Sequence, residues 1–115
     1  MTHFISLAAA KQMAARYAEH RETILTPPMQ NKDILPLSER FERADIDSVL
    51  AQEGCAGLRI YYGMDEDLQV HAILIGVDEN GEDILPEDET TEEDSDVLER
   101  GFRCPPYCPD KPLFP

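Results

Sequence analysis

Basic residues are scarce in this chain: ten Lys and Arg stand against 24 Asp and Glu, a formal net charge of −14 over 115 residues. That shortage removes nucleic acid from the expected partners, because phosphate binding needs clustered Lys and Arg. It equally disfavours an anionic membrane surface. Long apolar runs are missing as well. The longest, residues 72–77, is interrupted by Gly76 and falls far short of the roughly 18–20 residues of a membrane span. Tryptophan is absent. So are a glycine-rich phosphate loop, a G-x-S-x-G elbow, an H-E-x-x-H pair and any nucleic-acid fingerprint. No positive region precedes the short apolar stretch 4–10, so no secretory signal is read, and a cytoplasmic protein with reduced cysteines is expected.

The length fits one domain spanning residues 1–115, able to bury a modest core without staples. Residues 6–25 read as an alanine-rich helix. Leu7, Ala10, Ala14, Tyr17, Arg21 and Ile24 or Leu25 recur at three- and four-residue spacing, Ser6 or Thr2 can cap the start, and Thr26-Pro27-Pro28 ends it. Residues 29–37 form a connector with a short extended piece at Ile34-Leu35. A second helix is expected over 44–52, with Ile46, Val49 and Leu50 as its buried face and Gly54 in a left-handed cap.

The centre of the fold follows. Residues 58–64 alternate with period two and are rich in β-formers, Asp65-Glu66-Asp67 makes a turn, and residues 70–77 form a second strand. So short a connection makes an antiparallel hairpin. The second strand is apolar on both faces and so belongs in the middle of the sheet. A turn at Asp78-Glu79-Asn80-Gly81 and a short third strand at Asp83-Ile84-Leu85 are expected next. Asp83-Ile84-Leu85-Pro86 echoes Asp33-Ile34-Leu35-Pro36, as two similar edge pieces flanking the hairpin would. Residues 86–99 form an acidic segment, with a helix starting near Thr90 or Thr91, Glu92, Glu93 and Asp94 in its first turn, and Val97 and Leu98 as anchors. Residues 100–115 form an extended tail containing Cys104-Pro105-Pro106-Tyr107-Cys108-Pro109. The fold class is therefore α+β: a small antiparallel sheet of three or four strands built on the central hairpin and packed against the N-terminal helix and the second, short helix.

Several segments together carry a likeness: Glu39-Arg40-Phe41; Gly54-Cys55-Ala56-Gly57-Leu58-Arg59-Ile60-Tyr61-Tyr62-Gly63-Met64-Asp65; His71-Ala72-Ile73-Leu74-Ile75-Gly76-Val77; Asp83-Ile84-Leu85; Glu99-Arg100-Gly101; and Arg103-Cys104-Pro105-Pro106 with Cys108-Pro109. Over roughly residues 39–109 the chain resembles a group of small bacterial proteins to which no activity is attached. The resemblance implies a free-standing small bacterial protein. It brings no catalytic residue, cofactor or partner.

Three groups of residues carry possible chemistry. Cys104 and Cys108 have the spacing of one zinc-binding pair, which Cys55 and His71 would complete if the tail folds back over the hairpin. The same two cysteines can instead form a disulfide or redox pair. The plainer reading is preferred, with Cys55 a small core residue and the tail cysteines apolar contacts under a strap. No cofactor is expected beyond the zinc alternative. Cys–His catalysis would need a base within hydrogen-bond reach, and a satisfied sheet histidine is the favoured reading of His71. Asp78-Glu79-Asn80-Gly81-Glu82-Asp83 only partly matches a calcium loop and is better read as a hairpin turn. Arg59 and Tyr61 share one face of the first strand, where a partner or small anion can dock. With Glu92, Glu93 and Asp94 they make up the expected interaction surface.

The acidity is local. Residues 78–99 hold 12 of the 24 acidic residues and no Lys or Arg, leaving the rest of the chain at −2. The expected function is a non-enzymatic protein-interaction or adaptor module, binding another protein or itself as a homodimer. A thiol- or metal-site protein is the alternative, and an enzyme using carboxylates or His71 ranks last.

Overall fold

An eight-residue antiparallel hairpin organises the chain. The computed structural model describes residues 3–87, 89–90 and 96–113. Its helices are α1 (Leu7–His20) and α2 (Arg43–Leu50), and its strands are β1 (Ser38–Arg40), β2 (Gly57–Met64), β3 (Val70–Val77), β4 (Val97–Leu98) and β5 (Phe102–Cys104). β1 and β5 pair as one antiparallel sheet, and β2, β3 and β4 as another, in that order. The fold is α+β with an N-terminal helix. No helix among the described residues is long and apolar enough to cross a membrane.

The hairpin turn is built by Asp65, whose Oδ1 accepts from the N–H groups of Asp67 at 2.9 Å and Gln69 at 3.0 Å. This aspartate-specific turn sets the register, from Gly57 opposite Val77 to Met64 opposite Val70. Side chains alternate, so Leu58, Ile60, Tyr62 and Met64 share one face with Val70, Ala72, Leu74 and Gly76. α2 covers the Gly76 end of that face. Gly76 permits the approach, since a Cβ there would meet Gln52 Oε1 at 2.7 Å and Cys55 Sγ at 3.0 Å. Val49 and Leu74, 2% and 4% exposed, form the core beneath it. α2 ends at a left-handed Gly54, φ +78°.

β3 has two edges. β2 covers one along its full length, and four separate pieces of chain close the other. Val70 N–H donates to Ile34 O at 2.7 Å. Ala72 N–H donates to the Glu39 carboxylate at 2.9 Å. Leu74 and Ile75 pair with Leu98 and Val97 of β4. Gly76 O accepts from Ile84 N–H at 2.8 Å. Arg103, 8% exposed, locks the first of these pieces. Its guanidinium donates to Val70 O at 3.0 Å, Asp33 O at 2.7 Å and Ile34 O at 3.3 Å. Glu39 and Arg103 lie opposite each other in the β1–β5 pair, so that small ribbon reaches the sheet through two charged side chains.

Several expectations are corrected. α1 stops at His20, before the proline pair; Arg21 N–H caps Tyr17 O, while the Arg21 side chain turns to Leu35 O at 2.6 Å. Ser6 caps the helix start, accepting from Ala9 N–H at 3.0 Å. None of α1's residues is buried. The helix is held at its end, by Arg21 and by the Tyr17 hydroxyl donating to Pro36 O at 2.6 Å. Leu50, expected inside, is 44% exposed, whereas Ile34 of the connector is 3% exposed and belongs to the core. Asp83-Ile84-Leu85 makes only a bridge, Asp83 with Val77. The third strand of the main sheet is Val97–Leu98 instead, because the open edge of β3 at Leu74 and Ile75 takes this apolar dipeptide, with its β-branched Val97, as a strand and not as a helix anchor. The helix start at Thr91 and most of its first turn fall on residues 91–95, outside the described residues.

The buried core is small, and the chain is spread out. Its radius of gyration is 16.2 Å, against about 13 Å for a compact chain of this length. Its accessible surface is 8839 Å², where a compact monomer of this mass exposes about 6,300 Å².

The Arg103 anchor gives the first prediction. Arg103→Leu leaves three carbonyls without their donor and is expected to cost about 3 kcal/mol, read as a lowered midpoint in urea unfolding. An unchanged midpoint would show that the composite edge does not depend on it.

Candidate functional site

Four places on the described surface bear on function. The first is His71, on the face of β3 opposite the core helix. Its Nε2 lies 2.7 Å from Asp65 Oδ2 and its Nδ1 3.1 Å from Glu99 Oε1. The Asp65 contact has hydrogen-bond geometry. The Glu99 contact is an ion-pair approach only, and Nδ1 is buried without a hydrogen bond. Carboxylates thus face both ring nitrogens of His71. The hydrogen bond from His71, with N–H groups of Gln69 and Asp67, holds the Asp65 carboxyl below the usual aspartate range. The hollow beside it is about 250 Å³.

The second place is the Arg59–Tyr61 face. The structure brings the two residues together, and it adds Asp83. Arg59 donates to Asp83 Oδ1 at 2.5 Å and to Gly81 O at 2.9 Å, and the Tyr61 hydroxyl donates to Asp83 Oδ2. The expected anion-docking site is thus filled by the chain's own carboxylate. The calcium-like stretch is a turn, in which Asp78 Oδ1 accepts from Asn80 N–H at 2.8 Å and Glu82 N–H at 3.0 Å. The other expected surface residues, Glu92, Glu93 and Asp94, lie outside the described residues.

The cysteines form the third. Cys104 and Cys108 are joined as a disulfide, with their Cα atoms 4.6 Å apart. The favoured reading of free tail cysteines is therefore corrected for this pair: β5 and the 105–108 turn bring the two sulfurs together. The sulfurs sit differently, Cys104 fully buried and Cys108 exposed. Cys55 is a free thiol and donates to Gly57 O at 3.3 Å. It sits beside Gly76, five residues along β3 from His71, which is about 16 Å of strand. Cys55, His71 and the disulfide are therefore not brought into one set. Among the described residues no three His, Cys, Asp or Glu side chains gather as a metal group.

The fourth place was missed in the sequence: the apolar row Leu58, Ile60, Tyr62 and Met64 on β2. These residues are 37%, 50%, 79% and 58% exposed. β2 is an edge strand, and among the described residues no strand pairs with its outer side. Tyr62 also lines a cavity of about 600 Å³ with Tyr17, Leu35, Pro36, Val70 and Ala72. Burial pushes the Tyr17 phenol up from its ordinary value, against the pull of Arg21 and Arg103. The available signal was the same alternation that identified the strand. Alternation puts Leu58, Ile60, Tyr62 and Met64 on the face away from Arg59 and Tyr61, and the structure exposes both faces.

The chain gives no significant match to any protein family, curated protein or solved structure.

Two predictions follow from the site. The folded pKa of Asp65 lies below its unfolded one. Its contribution to stability is then complete above the unfolded value, near pH 4, and fades as pH falls through the lowered folded value. Asp65→Asn is expected to unfold at lower urea than the wild type at neutral pH, with the gap closing on acidification; a gap independent of pH would remove the charge from the explanation. Alkylation followed by intact-mass measurement is expected to label one thiol, Cys55, before reduction and all three after it. Three labels at the outset would instead support the reduced, cytoplasmic expectation.

Proposed function

We propose that the protein is a non-enzymatic interaction module that receives an extended segment of a protein partner along the outer edge of β2. The carrying observation is the contrast between the two edges of the hairpin. The outer edge of β3 is closed by four pieces of chain. Among the described residues, nothing pairs with the outer edge of the eight-residue β2, which is flanked by an exposed apolar row. An edge strand of that length without a guard is a template for strand addition. β2 contains no Lys or Pro, and its one charge, Arg59, is turned to Asp83 and Gly81. Backbone pairing would supply affinity, and the row from Leu58 to Met64, with the cavity beside Tyr62, would supply side-chain selectivity.

The zinc reading has less support, since Cys104 and Cys108 are joined and Cys55 sits apart beside Gly76; the redox reading keeps that disulfide as its one supporting observation. Catalysis by His71 has none, as both ring nitrogens face carboxylates.

The test is capture of partners by the wild type and by the double variant Ile60→Lys/Tyr62→Lys, with circular dichroism as a check on folding. The variant is expected to retain less than about a tenth of the captured protein. In the wild-type complex, the amides of Leu58, Ile60, Tyr62 and Met64 are expected to gain protection from hydrogen exchange. Equal capture by a folded variant would overturn the proposal.

A further inference from the structure

The open edge has a self-complementary pattern, and this inference rests on the reading of β2 as a binding edge. We infer that the segment it receives is β2 of a second copy of the chain, paired antiparallel about Tyr61, making one continuous six-stranded sheet from two three-stranded ones.

The backbone allows it. Asp65 N–H points inward to Gln69 O. By alternation along the ladder, residues 57, 59, 61 and 63 bond to β3, while Leu58, Ile60, Tyr62 and Met64 present their N–H and C=O groups outward. A two-fold axis perpendicular to the sheet keeps each face on its own side, so it pairs residues of like parity. Centred on Tyr61, it sets Ile60 opposite Tyr62 and Leu58 opposite Met64 of the second copy. The apolar row of one chain then runs into the apolar row of the other, in the cross-strand pairs that stabilise sheets.

Charge permits self-pairing and excludes one neighbouring register, while the match of apolar row to apolar row favours Tyr61 as the axis. Residues 54–64 contain no Asp or Glu in a chain with 24 of them. With Tyr61 at the axis, Asp65, Glu66 and Asp67 of one copy lie opposite Gly57, Ala56 and Cys55 of the other, none of them charged. Arg59 then lies diagonal to Asp65 of the second copy. A shift of the axis to Ile60 sets Asp67 against Glu53, which opposes like charges. An acidic chain can thus pair with itself here without acid meeting acid.

Area agrees. The chain exposes 8839 Å², an excess over a compact monomer of roughly 2,500 Å². A stable dimer buries about 800 Å² on each partner.

Sedimentation equilibrium on the purified chain tests the inference. The expected mass is twice 13.0 kDa, falling to one chain mass in Ile60→Lys/Tyr62→Lys. On mild oxidation in a Cys55→Ala background, Tyr61→Cys at the axis is expected to cross-link two chains, whereas Leu58→Cys, which faces Met64, is not. A wild-type monomer at about 1 mM would overturn the second copy as partner, while the capture experiment still judges the edge itself. A dimer that survives the double lysine variant and fails to cross-link through Tyr61→Cys would overturn it equally.

Discussion

The fold depends on one constraint: β3 must have both edges satisfied, and among the described residues no full-length strand pairs with the outer one. A buried backbone amide or carbonyl without a partner costs as much as a lost hydrogen bond. The outward groups of β3 are met instead by a connector carbonyl at Val70, a carboxylate at Ala72, a two-residue strand at Leu74 and Ile75, and a turn amide at Gly76. Arg103 makes this composite edge cohere. It ties the carbonyl of Val70 to those of Asp33 and Ile34 through one guanidinium, whose fork of donors suits several acceptors at once.

That constraint explains features that otherwise look unrelated. The echoed tetrapeptides beginning at Asp33 and Asp83 dock at opposite ends of β3, Ile34 at Val70 and Ile84 at Gly76. The tail must be held where Arg103 can reach, and it is. Leu37 N–H donates to Cys104 O at 2.8 Å, Phe102 packs edge-on against Tyr107 with ring centres 5.4 Å apart, and the Cys104–Cys108 disulfide closes the turn after β5. The disulfide therefore serves the position of β5, and through β5 the edge of the main sheet.

The hairpin was legible because its signals are local: period-two alternation, β-branched residues, and an aspartate at the turn. α2 and its glycine cap were legible for the same reason. The composite edge was not, because its partners are backbone carbonyls and amides that every residue carries. Nothing in the sequence distinguishes Arg103 from a solvated arginine, or Glu39 from a surface glutamate. Val97 and Leu98 fit a helix face as well as a strand, and only the vacancy beside Leu74 and Ile75 decides between them. The site shows the same division. The shared face of Arg59 and Tyr61 follows from alternation, but Asp83, 22 residues beyond Tyr61 in the chain, occupies it through tertiary contact. The apolar row on β2 was visible as a pattern but not as a surface, since alternation says which residues share a face and not whether anything covers it.

Coverage is where the distribution of charge becomes informative. Net charge keeps a small protein apart from its copies, and here half of the acidic residues fall within 78–99. The strand left open carries none. Had β2 been exposed merely because the chain ran out of material to cover it, acidic or lysine side chains would be the ordinary protection for such an edge. They are absent over residues 57–64 except for Arg59, which Asp83 engages from the same molecule. The outer edge of β3, by contrast, is closed with pieces from three regions of the chain, at 34–39, at 84 and at 97–98. A buried arginine and a carboxylate complete one edge, while among the described residues the neighbouring edge stays apolar and free of acid, and that contrast is what the proposed pairing of the second edge rests on.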